Sequence, residues 1–324
     1  MRRLLAMLRA ASGWLLLLAI CRGQDCPCPG SSGGDFVSLC QSSQDRECCD
    51  CICDCQRFLG MLPSDHCFDD FISPISNPFF FEDPRALTEV RGIFLNNNLP
   101  GDIGGANGLL WAVQLRGRLT ERVSVIAPRI GYWHIVPGGN DSPAGFMAAP
   151  VGFKYSLIRD VERQFLLSGG ATYFIPGGGG SYTNFGDGDF HFFLTGGKQI
   201  FDRGHWISGS GFRIPANNNW GTQLWYWSNQ WDYEIARGWY PLIGVNWFHW
   251  MNSSAQNLTN GITGLDLVNL PTAGVAGHNV VTSVVGLKWK PSGHLEVGAG
   301  YEFPLTANGD ILNNRIYADV IFRY

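Results

Sequence analysis

From Leu87 to Tyr324, apolar side chains recur at every second position in segments of about ten residues, the period of a strand with one apolar face. Leu109–Leu119 puts Leu109, Trp111, Val113, Leu115 and Leu119 on one face and Gln114, Arg116 and Arg118 on the other. Val151–Leu157 sets Val151, Phe153, Tyr155 and Leu157 against Lys154 and Ser156, and Leu224–Ile235 sets Trp225, Trp227, Trp231, Tyr233 and Ile235 against Tyr226, Ser228, Gln230, Asp232 and Glu234. Such stripes predict twelve strands, near residues 87–95, 108–119, 123–133, 148–158, 164–176, 188–201, 205–215, 222–235, 239–252, 278–290, 294–305 and 314–324. The connections alternate: 120–122, 159–163, 202–204, 236–238 and 291–293 are tight, 96–107, 134–147, 177–187, 253–277 and 306–313 are long, and 216–221 is intermediate. Tight turns on one rim and long loops on the other describe an up-and-down meander with both its ends on the tight-turn side. A sheet of this length closes on itself, because an open edge invites aggregation.

Composition separates a soluble sandwich from a membrane barrel. Charged residues make up only 15% of the 324, aromatics reach 13% and there are 42 glycines, against roughly 25% charged in ordinary soluble domains. The apolar stripe is rich in aromatics while the opposite stripe carries both signs of charge, as expected where an outer face meets lipid and an inner face meets a lumen. Eight tryptophans between Trp206 and Trp250 suit an interfacial girdle near the loop-proximal strand ends. The mean hydropathy of −0.02 and the absence of a long apolar run after the N-terminus exclude a bundle of membrane helices. A net charge of −4 offers no basic field for nucleic acid.

Ahead of the strands lie two further regions. Arg2, Arg3 and Arg9 precede the apolar stretch Trp14–Ile20, and Cys21-Arg22-Gly23 supplies small residues for cleavage, so residues 1–23 read as a signal peptide, with lipidation at Cys21 as an alternative. All ten cysteines lie at or before Cys67, which marks residues 24–86 as a Cys-rich periplasmic segment ending in a Pro/Phe-rich connector. Cys48, Cys49, Cys51, Cys53 and Cys55 could surround Zn or Cu(I), since thiolates favour soft ions, or could become disulfides in an oxidising compartment. The connector, residues 71–84, holds three prolines and four phenylalanines and reads as an extended segment packed on another surface, a plug or a lid.

The last strand alternates Ile316, Val320, Phe322 and Tyr324 and ends on an aromatic. With this feature, residues 87–324 resemble a bacterial outer-membrane β-barrel of the porin-like kind, of unknown substrate. The resemblance implies an all-β, closed antiparallel transmembrane barrel in the outer membrane, recognised by the barrel-assembly machinery through its C-terminal strand. The polar stripes would turn Arg91, Arg116, Arg118, Lys154, Asp232, Glu234, Lys288, Glu296, Glu302, Arg315 and Asp319 inward, where a mixed-charge lining suits a passive channel for small polar solutes. A non-conducting barrel anchoring the Cys-rich segment is the alternative. An outer-membrane hydrolase is a third reading, but His134, His191, His205, His249, His278 and His294 sit in no GxSxG or HExxH motif, so no catalysis is expected.

Overall fold

The computed structural model describes residues 57–99, 107–136, 144–176, 186–257, 266–306 and 312–324. The signal peptide expected over 1–23 and the cluster from Cys48 to Cys55 lie outside the described residues.

The strands are β1 (Glu89–Asn98), β2 (Asn107–Arg118), β3 (Val123–Val136), β4 (Ala144–Phe146), β5 (Ala149–Asp160), β6 (Phe165–Ile175) and β7 (Asp189–Phe201). They continue as β8 (Gly204–Pro215), β9 (Gln223–Tyr233), β10 (Trp239–Asn252), β11 (Asn279–Ser292), β12 (Leu295–Pro304) and β13 (Asn314–Arg323). Consecutive strands pair antiparallel except β4 with β5, and β1 pairs with β13 from Glu89↔Arg323 to Asn98↔Asn314, so the sheet closes. β4 and β5 share one place in the ring: β4 runs beside the upper part of β3 (Tyr132↔Phe146) and β5 beside its lower part (Val123↔Tyr155). Among the described residues, thirteen strands therefore fill twelve positions of the ring.

Each of the twelve segments expected from the alternation is found as a strand, with ends shifted by a few residues. The short β4 escapes the pattern because Met147 and Ala148 are both buried, which breaks the period at the join with β5. A second break lies in β3. Pro128 and Arg129 both face inward, the register against β2 shifts between Val113 and Leu115, and Gln114 donates to the Pro128 carbonyl at 2.7 Å. Proline has no N–H to give the ladder, so a bulge is the natural place for it.

The two faces separate as the stripes require. Trp111, Val113, Leu115, Val151, Phe153, Tyr155, Leu157, Phe192 and Leu194 are exposed on the outside, while Gln114, Arg116, Lys154, Ser228 and Gln230 are buried inside. Tryptophans occupy both ends of the outer wall. Trp239 stacks on Trp289 with centroids 6.0 Å apart near the tight-turn rim, and Trp225 meets Trp247 edge-on at 5.0 Å nearer the long loops. Trp250 departs from the girdle expectation: its parity in β10 is opposite to that of Trp239 and Trp247, and it is fully buried inside.

Candidate functional site

The interior is occupied by the chain itself. The segment that precedes β1 enters at the tight-turn rim, where Leu62 N donates to Arg118 O at 2.7 Å and Ser64 N donates to Tyr324 O at 2.6 Å. It climbs into the barrel, reverses at Asn77–Phe81 and returns to Thr88 at the same rim, with residues 71–88 all buried. Asn77 makes the reversal in the left-handed region (φ 45°), where asparagine is better tolerated than most side chains, and its carbonyl accepts from Phe80 N and Phe81 N at 3.1 and 2.9 Å. The Pro/Phe-rich connector is thus a plug.

A buried segment without regular structure must find a partner for every backbone polar group. Pro74, Pro78 and Pro84 reduce the demand, having no N–H. The wall supplies part of the rest, chiefly donors for the carbonyls. Ile75 N donates to Gln230 Oε1 at 3.0 Å and Ser73 N to Glu296 Oε1 at 2.9 Å. Carbonyls of Pro74, Phe80, Glu82 and Pro84 accept from Arg91, Tyr226, Thr195 and Ser168 at 2.7, 2.6, 2.8 and 2.6 Å. Lys154 Nζ reaches the carbonyls of Asp83 and Arg85 at 2.6 and 2.7 Å.

Charge pairs fasten the returning limb. Arg116 binds both Glu82 oxygens at 2.7 and 2.8 Å and also Glu89, while Lys154 reaches Glu82 at 3.0 Å. Burial alone would raise the Glu82 carboxyl, but the cations Arg116 and Lys154 outweigh it and hold the group down at about 2. Arg85 pairs with Asp83 of the plug at 2.7 Å. Between neighbouring strands, Arg323 bridges Glu89 and Glu296 at 2.8 Å each, and it donates to Ser73 Oγ of the plug at 2.8 Å. Lys288 joins Glu296 and Asp319 at 2.6 and 3.1 Å, and Arg91 closes on Asp319 at 2.5 Å.

A second insertion enters from the long-loop rim. Asp266, in the connection between β10 and β11, accepts two bonds from Arg315 at 2.7 and 2.9 Å, and Arg315 also meets Glu302 at 3.3 Å. Arg213 donates to Asp266 O at 3.1 Å and Arg129 to Leu267 O. Leu267 shares one apolar cluster with Ile72, Ile75 and Phe79 of the plug, and Val275 shares another with Phe80.

Of the residues expected to line a lumen, Arg91, Arg116, Lys154, Lys288, Glu296 and Asp319 converge around the plug, and Glu302 with Arg315 around the loop insertion. Arg118 donates to Pro63 O at 3.2 Å at the plug entry, and Asp232 is buried against His205 Nδ1 at 2.9 Å. Glu234 does not join them. It sits half-buried at the tight-turn rim, accepts from Gly238 N at 2.8 Å and lies 3.8 Å from Arg203, because the inward parity of β9 ends at Tyr233. The sequence reading missed Glu82, Asp83, Arg85 and Asp266, which lie outside the strands; the prolines around the first three and the apolar residues Leu267, Val268 and Leu270 within a long loop are the signals that mark burial.

No family model matches the chain, and no curated protein matches it. Among solved structures, an outer membrane channel from Pseudomonas putida F1 is similar over 78% of this chain and all of that one, with a TM-score of 0.52 and 11% identity. The NanC porin is similar over 73% of this chain and 99% of that one, with a TM-score of 0.47 and 8% identity. At such identities the likeness is one of fold: the chain shares the closed antiparallel β-barrel of that outer membrane channel.

Proposed function

We propose that the protein is an integral outer-membrane barrel that acts as a passive, porin-like channel for small polar solutes and is held closed in this conformation by its plug. The observation that carries this reading is the inner wall. Its charged and amide side chains lie opposite an apolar outer belt, and a wall needed only for packing gains more from apolar residues than from buried ion pairs. His205 Nε2 is buried without a hydrogen-bond partner among the described residues, and water is the natural partner for such a group. Solutes would pass along this wall once the plug shifts, past charges of both signs that pair between neighbouring strands. The exposed aromatic and aliphatic stripe of β13, with Ile316 and Phe322 outermost, supports recognition by the barrel-assembly machinery.

The occupied lumen favours a second reading, a non-conducting barrel that anchors the Cys-rich segment. Planar-bilayer recordings on the wild-type chain and on Glu82→Gln separate the two. A channel gives rare openings in the wild type and more frequent ones in the variant; insertion of both without current defeats the channel and leaves the anchor.

A further inference from the structure

At the tight-turn rim two histidines from distant parts of the chain come together. His66 opens a short 3-10 turn (His66–Phe68) at the foot of the plug, and His294 lies in the two-residue turn between β11 and β12. Their ring centroids are 5.6 Å apart, with the planes at 72°. Both side chains are exposed, away from the lipid belt.

The hydrogen bonds fix which nitrogen of each ring is left over. His294 Nδ1 lies 3.1 Å from the Arg323 carbonyl, which can only accept, so Nδ1 carries the proton and Nε2 keeps its lone pair. His66 Nδ1 lies 2.8 Å from Asp69 Oδ2, and an ionised carboxylate also only accepts, which leaves the His66 Nε2 lone pair free in the same way. An imidazole whose Nδ1–H is held by a carboxylate or a backbone carbonyl is the usual form of a metal-ligating histidine, since the bond fixes the tautomer and raises the basicity of the other nitrogen. Gly293 permits the approach. A Cβ there would lie 2.5 Å from Asp69 Oδ2 and 3.4 Å from His66 Nδ1, so any other residue would push the His66–Asp69 pair away from the turn.

We propose that His66 and His294 form a binding site for one divalent transition-metal ion of the nitrogen-preferring kind, Zn, Ni or Cu, which ties the foot of the plug to the β11–β12 turn. The spacing suits it. Two imidazoles bound through Nε2 at about 2.0–2.1 Å in tetrahedral arrangement place their ring centroids about 5 Å apart, close to the spacing observed. Among the described residues no third histidine, cysteine or carboxylate completes a cluster, so water fills the remaining positions and the affinity is modest. The site needs none of the thiols from Cys48 to Cys55.

The test uses the full chain in detergent with its cysteines alkylated, titrated with Ni²⁺ by calorimetry and with Cu²⁺ by electron paramagnetic resonance. One ion per chain is expected, with nitrogen hyperfine structure from two imidazoles. His66→Gln and His294→Gln should each weaken binding at least tenfold, and Asp69→Asn by about tenfold, the lower end of what loss of such a supporting partner costs. His249→Gln, at a half-buried histidine on the long-loop side bonded to Asn279, should bind as the wild type does. Heat-modifiable migration on a gel verifies that each variant still forms a barrel. Failure of the wild type to bind either ion, or binding that survives either the His66 or the His294 substitution, overturns the site.

Discussion

The same strands present two surfaces that obey opposite rules. On the outer wall of β5–β7, Val151, Phe153, Tyr155, Phe192 and Leu194 stand exposed and adjacent with no charge among them. One residue over, on the inner side, Lys154, His191 and Thr195 are buried against the plug. The outer face is stable only because hydrocarbon makes no hydrogen bonds, and the inner face only because each charge finds a partner. A one-residue slip would exchange the two environments, so alternation fixes the register strongly.

Breaking the inner side should have the largest effect. Glu82→Ala leaves Arg116 with Glu89 alone and Lys154 with carbonyl partners only, and removal of one partner of a buried ion pair costs about 3–5 kcal/mol. Denaturant unfolding in vesicles should register the loss, and limited proteolysis should cut the plug of the variant sooner than that of the wild type. On the outer side, Leu194→Arg puts a charge in the middle of the apolar belt, where about 2–4 kcal/mol is expected at the bilayer midplane. The same unfolding assay reads it, and a cost near zero would mean that this face does not meet lipid.

Acid sharpens the comparison, since only the interior titrates. Glu82 lies on the plug, and its carboxyl is held at about 2 against an ordinary 4.5. A group whose folded value is lowered contributes fully above its unfolded value and loses that contribution as the pH falls through the folded one. The plug should therefore resist protease from neutral pH down to about 4.5 and loosen between about 4.5 and about 2, with acid-active pepsin as the probe below pH 4. Release between pH 7 and 5 would show that Glu82 does not hold the plug. Tyr226→Phe removes one of the two donors to Phe80 O, which keeps its bond from Glu82 N, and should cost about 0.5–1.5 kcal/mol, the net worth of one hydrogen bond. The smallest effect is expected at the tight-turn rim. The Arg163 side chain is 81% exposed and 3.7 Å from Asp160, and Arg163→Ala should change stability by about 0–1 kcal/mol.

The barrel was legible because its code is local. Residues two apart report one face, and the turn residues between stripes report the reversals, so twelve strands followed from a period of two. Departures occur where a bulge or a buried pair upsets parity, as at Pro128–Arg129 and at Met147–Ala148. The plug was legible only as a segment that must pack. What it packs on depends on bonds between residues far apart in the chain, Ser73 with Glu296 or Ile75 with Gln230, for which no local spacing exists. The inward-facing charges could be listed from alternation, but their partners could not, because Glu82 and Asp266 come from irregular segments whose path has no period to read.

The join between β1 and β13 carries a consequence for biogenesis. The plug runs straight into β1, and β1 is sealed by β13, the last strand of the ring in chain order. Once that seam has zipped from Glu89↔Arg323 to Asn98↔Asn314, a reversing loop carrying Glu82, Asp83 and Arg85 would have to be threaded through a finished ring. The easier order gathers the other strands around the plug while the ring still gapes and shuts the seam last, with Arg323 delivering its bonds to Ser73 and Glu89 as the final clasp.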